Sequence, residues 1–271
     1  MAIEVGRPNV RGIAEIPKQS GDDFYTFSDL MKGPKPKLEW LVRDLVTTRG
    51  INHITGAITS GKSVIAMQLI KSVREGLDFL GFKPEKTGPI VYFGLEDGKT
   101  RMYERTRKQN WKVDGNLPEV HFCHELNLGM LPGINKLKEA VEKYEPVLVV
   151  IDPLMLSTGT KDINSNKDMS EFARNLREIL VKHEFAFFIV HHDRKTYDKF
   201  PDMGEIETGL GATANLALSD TRMRFFGKEG EKKIRIFGKD VKNPGETFSV
   251  KKDSENYLWV RKRPYNKDGG K

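Results

Sequence analysis

The chain has 271 residues, 38% hydrophobic and 31% charged, which suits one folded domain with a solvated surface and, with no run of about 18 apolar residues, excludes a membrane-spanning helix. The N-terminus lacks a secretory pattern. The single cysteine, Cys123, excludes a disulfide framework, and no cluster has zinc-ligand spacing, so a cytoplasmic protein is expected. The net charge of +7 favours an acidic partner such as a nucleic-acid backbone, or serves solubility alone.

Residues 1–34 carry Gly, Pro, Ser and charges without a sustained period and are expected to form an arm or linker. Residues 35–271 then read as a single domain. Its first strand is Ile51 to Thr55. Val64 to Val73 follows as a helix, with Ile65, Ala66, Leu69, Ile70 and Val73 on one face. Pro89 to Phe93 is an apolar strand, Gly98 to Gln109 a charged helix, Val120 to Cys123 a short strand, and Ile134 to Tyr144 a helix. Val147 to Ile151 is unbroken Val, Leu and Ile, the pattern of a strand buried on both faces of a parallel sheet. Met169, Phe172, Ala173, Leu176, Ile179 and Leu180 mark an amphipathic helix, and Phe187 to Val190 another buried strand.

From Thr221 onward the texture changes. Short alternating segments at Arg222–Phe226, Ile234–Phe237, Phe248–Val250 and Tyr257–Val260 are separated by Gly- and Lys-rich turns. They predict antiparallel hairpins at one edge of the sheet. The expected class is α/β, a mostly parallel sheet flanked by helices with antiparallel hairpins at its C-terminal edge.

Gly56-Ala57-Ile58-Thr59-Ser60-Gly61-Lys62-Ser63 fits G-x-x-x-x-G-K-[ST] in full, between a strand and the helix that Val64 continues. Gly56 and Gly61 let the backbone turn its N–H groups towards phosphate oxygens, and the helix start adds a positive end. Lys62 supplies a point charge for β- and γ-phosphates, and the Ser63 hydroxyl can ligate magnesium. A plain Gly-rich turn that happens to carry a lysine explains the complete pattern poorly.

Asp152 ends the Val147–Ile151 strand, where a magnesium-holding acid is expected if that strand lies next to the phosphate-loop strand. Standing alone, it could equally cap the loop before Pro153. Glu96 lies just past the Pro89–Phe93 strand and can orient and deprotonate an attacking water; Asp97 is its rival, or a cap for the next helix. His191-His192 closes the Phe187–Val190 strand, and either imidazole can meet a γ-phosphate.

In order and spacing these motifs resemble the RecA-fold ATPases of the RepA type, compact plasmid and phage replicative helicases, and more distantly the DnaB-type helicases. The resemblance runs from Leu38-Glu39-Trp40-Leu41-Val42 through the phosphate loop, Gly94-Leu95-Glu96-Asp97, Val150-Ile151-Asp152-Pro153-Leu154 and Ile189-Val190-His191-His192-Asp193-Arg194-Lys195. It ends with Gly209-Leu210-Gly211-Ala212-Thr213-Ala214 and the basic region near Lys239. It implies ATP and Mg2+ as cofactors, Glu96 as catalytic base, Arg105 against the adenine, and the histidine pair as γ-phosphate sensor. It also implies a hexameric ring acting on single-stranded DNA alongside replication partner proteins.

Lys239 and Lys242 fall where the family's neighbour-supplied finger lies. The family's Lys-x-Arg is replaced here by Lys239-Asp240-Val241-Lys242-Asn243-Pro244, which exchanges a bidentate fork for a point charge. Arg194, Lys195 and Lys199 fall in a loop that faces DNA in the family, with Tyr197 and Phe200 available to stack on bases; mixed charge equally fits a solvated loop. Arg261-Lys262-Arg263, Lys267 and Lys271 form a second basic stretch, a phosphate contact or a frayed tail. No helix-turn-helix signature is present, so DNA binding is expected to be sequence-tolerant and salt-dependent. The competing reading is a recombination or regulatory ATPase that switches complex state without unwinding. A small-molecule kinase is disfavoured because no lid with clustered arginines is present.

Overall fold

A computed structural model describes residues 26–32, 37–159, 162, 164–192, 219–228 and 230–262. The chain divides after Leu38 into two units. Among the described residues the first carries a short helix, α1 (Phe27–Lys32), whose start is closed reciprocally: Asp29 N–H donates to Thr26 Oγ1 at 3.1 Å and Thr26 N–H to Asp29 Oδ2 at 3.0 Å.

The second unit opens with a small antiparallel ribbon, β1 (Trp40–Val42) and β2 (Val46–Thr47). The phosphate-loop strand β3 (Ile51–Gly56) leads into α2 (Lys62–Glu75). There follow β4 (Ile90–Gly94), α3 (Lys99–Lys108), β5 (Val120–Cys123), α4 (Leu131–Tyr144), β6 (Leu148–Asp152), α5 (Leu154–Ser157), α6 (Asn166–Lys182) and β7 (Ala186–His192). The last four strands are β8 (Thr221–Phe226), β9 (Lys232–Gly238), β10 (Thr247–Lys252) and β11 (Trp259–Arg261).

Nine strands make one sheet in the order β11-β10-β9-β8-β3-β7-β6-β4-β5. One expectation is corrected here. The Asp152 strand β6 is not beside β3; β7 lies between them and pairs in parallel with both. The C-terminal edge is antiparallel as expected, starting from the β8–β9 pair, while β8 on its other side runs parallel to β3. Each of these strands is buried on both faces, so its own pattern carries no record of which neighbour it will meet.

Burial on both faces follows from alternation along each strand. In β6, Leu148 and Val150 join the core around α2, while Val149 and Ile151 join the core of α4 and α6. In β7, Phe188 and Val190 face the first core and Phe187 and Ile189 the second. Burial on nearly every side of α2 explains its weakly one-sided sequence, whereas α6 is half polar because only one stripe meets the sheet. Ser165 caps α6, accepting from Asp168 N–H.

Candidate nucleotide site

All five strands of the parallel core, and β8 beside them, end on the same side of the sheet, so their C-terminal residues share one crevice. Into it come the loop after β3, Glu96 after β4, Asp152 at the end of β6 and His192 at the end of β7.

Glycines shape the loop from Gly56 to Ser63, where a β-carbon at Gly56 would lie 2.4 Å from the Phe225 carbonyl oxygen. Gly61 caps α2 with φ at 101°, a left-handed conformation that favours glycine. A β-carbon there would also stand 3.3 Å from Cζ2 of Trp259 on β11, whose indole edge lies against the loop. Gln68 of α2 holds that tryptophan's backbone from both sides, accepting from Trp259 N–H at 2.8 Å and donating to its carbonyl at 2.9 Å. Thus the C-terminal strand, remote in sequence, forms one wall of the loop. Ala57 and Ser60 are half-buried, Ile58 and Thr59 exposed, and Val64 lies in the core behind them.

Lys62 is buried, and its ammonium donates to the carbonyls of Gly56 at 2.8 Å and Ala57 at 2.6 Å. A buried cation held by loop carbonyls can redirect its N–H hydrogen bonds to phosphate oxygens without being newly desolvated. The Ser63 hydroxyl donates to Asp152 Oδ1 at 3.2 Å, so the hydroxyl and carboxylate expected to share magnesium already meet, although β6 and β3 are not neighbours. Both are hard oxygen donors. Magnesium commonly takes one or two protein oxygens and completes its shell from phosphate and water, so this pair fits that ion.

Asp152 is almost wholly buried, and burial pushes its carboxyl up to about 6, against the opposing hydrogen bonds from Tyr92 and Ser63. Tyr92, on the neighbouring strand β4, donates its phenol proton to Asp152 Oδ2 at 2.9 Å. Burial, with the Asp152 charge, holds that phenol well above its ordinary range, so it stays a donor. Nothing in the pattern of β4 distinguished Tyr92 from its apolar neighbours.

Glu96 is half exposed, with Oε1 4.0 Å from His192 Nε2. Asp97 is buried and bound by Arg101 at 2.7 Å and by Arg105. It does not cap α3, whose N-cap is Gly98. Of the two carboxylates, Glu96 alone stands open at the crevice. Arg105 has its guanidinium on Asp97.

The two histidines part company through the pleat. His192 follows Val190 to the α2 side and approaches Glu96. Burial, and then the Lys62 charge, lower its imidazole to about 4, so it is neutral at physiological pH. Its buried Nδ1 has no hydrogen-bond partner among the described residues. His191 follows Ile189 to the other face, buried, its ring 6.4 Å from that of His53 and nearly perpendicular to it. His53 on β3 is within hydrogen-bond reach of Ser219 Oγ, 2.7 Å from its Nδ1, and burial lowers it to about 3. Sequence reasoning missed His53, because a histidine inside an apolar strand carries no positional signal.

Lys239 and Lys242 are exposed on the turn after β9. Gly238 pairs with Thr221 at the start of β8, so this turn lies at the opposite end of the sheet from the phosphate loop, roughly 20 Å away along a six-residue strand. Arg194, Lys195, Lys199, Tyr197, Phe200, the 209–214 motif, Arg263, Lys267 and Lys271 lie outside the described residues.

A parallel core with a phosphate loop, a Ser–Asp pair and an acid past the neighbouring strand defines a P-loop ATPase of RecA-like fold. A family model described as an AAA domain matches residues 19–198, from ahead of β1 to beyond His192, and the chain belongs to this P-loop ATPase family. No curated protein matches the chain. No helix among the described residues is long and apolar enough to cross a membrane.

Proposed function

We propose that the chain hydrolyses ATP with magnesium to move along single-stranded DNA as a hexameric replicative helicase or translocase. The observation that carries the hydrolytic part is the grouping of Lys62, the Ser63–Asp152 pair, Glu96 and neutral His192 at one crevice. Lys62 and the loop hold the phosphates, and Ser63 and Asp152 would hold magnesium, which would supply charge neutralisation to them. Glu96 takes a proton from the attacking water. Neutral His192, with Nε2 turned to the Glu96 side, donates or accepts a hydrogen bond at the same place and registers the loss of the terminal phosphate. Arg105 contributes to the base pocket from α3.

The oligomeric part rests on the position of Lys239 and Lys242. At the far end of the sheet they are remote from their own phosphate loop, whereas on a neighbouring copy they can supply a further cationic group. The net charge of +7 supports a polyanionic track, with Arg194, Lys195 and Lys199 as its contacts and replication proteins as further partners.

Steady-state ATP hydrolysis across a protein concentration series, with and without single-stranded DNA, tests the reading. Stimulation by DNA and specific activity that rises with concentration are expected. Hydrolysis indifferent to both would leave an ATPase that switches complex state without translocating.

A further inference from the structure

The phenol of Tyr92, on β4, reaches the buried Asp152 carboxylate. Its ring is fully buried in the α2 core, and T-shaped against Phe122 at 5.9 Å. Its hydroxyl meets Asp152 Oδ2, while Ser63 meets Oδ1 of the same carboxylate. We propose that Tyr92 is a positioning residue for magnesium: by holding Oδ2 it fixes the rotation of the Asp152 carboxylate and keeps Oδ1 turned to the Ser63 hydroxyl. The inference rests on the reading of Ser63 and Asp152 as magnesium donors given above.

The slot that admits the phenol is built for it. Gly94 stands opposite Asp152 in the β4–β6 register, and Tyr92 opposite Val150. A β-carbon at Gly94 would lie 3.3 Å from both Cε1 and Cζ of Tyr92, tighter than ordinary van der Waals contact. The absence of a side chain there leaves the ring room to lie along the strand and reach past one residue pair to Asp152. Pro89-Ile90-Val91-Tyr92-Phe93-Gly94 therefore places its one polar aromatic where a short side chain follows two positions later.

A carboxylate at a surface can rotate at little cost because water serves either oxygen. Buried Asp152 has no such freedom to spare: one oxygen needs a permanent donor so that the other can be given to the cation. A phenol suits the task better than an ammonium or guanidinium, since it satisfies the oxygen without cancelling the charge that attracts the metal. Positioning of this kind from a neighbouring shell commonly alters metal affinity by about 10- to 100-fold.

The test uses the full chain and a fluorescent ATP analogue, titrated with magnesium chloride, with binding as the readout. Tyr92→Phe keeps the ring and deletes the donor. About tenfold more magnesium is expected for half-maximal enhancement of nucleotide affinity, with affinity in EDTA changed less than twofold. A lower melting temperature with an unchanged magnesium requirement would make Tyr92 a core residue only and overturn the proposal. Should Tyr92→Phe fail to fold, Gly94→Ala keeps the hydroxyl but crowds the ring, and the same shift in magnesium requirement, smaller in size, is expected; no shift overturns it. Failure of the unsubstituted chain to bind nucleotide would sink the nucleotide reading and this inference together. Normal magnesium-dependent binding in both chains would sink the Tyr92 role alone.

Discussion

Glu96 Oε1 stands 4.0 Å from His192 Nε2 across the mouth of the crevice, the acid from beyond β4 and the imidazole from the end of β7. β7 is the direct partner of β3, with His192 opposite Gly56 in register, whereas β7 and β6 lie between β3 and β4, so Glu96 reaches the crevice from two strands further away. With the imidazole neutral, the contact is not an ion pair.

Glu96→Gln is expected to preserve nucleotide binding and slow turnover on the order of 10²–10⁴-fold, the usual loss for a positioned base. Asp97→Asn should behave differently. It removes the shared carboxylate of Arg101 and Arg105, so a stability loss of about 1–3 kcal/mol is expected, with turnover far less affected. Single-turnover hydrolysis beside denaturant unfolding separates the two. If Asp97→Asn slows chemistry more than Glu96→Gln, the base has been misassigned.

The histidine pair provides a contrast between adjacent positions. His192→Ala should lower turnover by about 10- to 100-fold by removing a polar group at the site of developing charge, while leaving unfolding nearly unchanged. His191→Ala should do the reverse, since that ring is packed against His53 within the sheet; truncating a buried side chain of this size costs about 2–4 kcal/mol. Equal kinetic effects would contradict the assignment of faces.

Catalysis across an interface can be read by mixing two impaired chains. Lys62→Ala destroys the phosphate site but leaves Lys239 and Lys242 intact; the double variant Lys239→Ala/Lys242→Ala does the opposite, with turnover expected to fall on the order of 10²-fold. Mixed oligomers place an intact site beside an intact lysine turn, so activity should return on mixing. No recovery, after exchange of subunits has been verified, would remove the lysines from the proposed site.

Stability should rise with pH through the acid range. His53 and His192 take up protons near 3 and 4 in the folded chain but near 6.5 when unfolded. Their stabilising effect is thus complete above 6.5 and lost as pH falls. Asp152 works in the opposite sense: its folded value of about 6 exceeds its ordinary 3.8, so its contribution is lost as pH rises through 6. Between about pH 4 and 6 the unfolded chain binds two more protons on histidines and one fewer on Asp152. The net of one proton favours unfolding in acid. Denaturant midpoints at pH 5 and pH 7 check this, and His53→Asn should flatten the difference.

Much of this protein was written locally. The complete phosphate-loop pattern, Asp152 at the end of a doubly apolar strand and Glu96 past another are each set by neighbours in the chain, because a tight turn, a helix start and a buried strand follow from adjacent residues. The same holds for α2, α3, α4 and α6, whose periods mark them within a few residues. Position across the sheet was not local. β7 came to lie between β3 and β6, and β8 joined in parallel, because strands apolar on both faces fit many neighbours and only the packing of all the helices selects one order. That choice decided which histidine faces the crevice, brought Trp259 against Gly61 from the far end of the chain, and set the Tyr92 phenol on Asp152. Contacts between residues remote in sequence depend on strand register and on which core each face meets, and these properties exist only once the tertiary structure has formed.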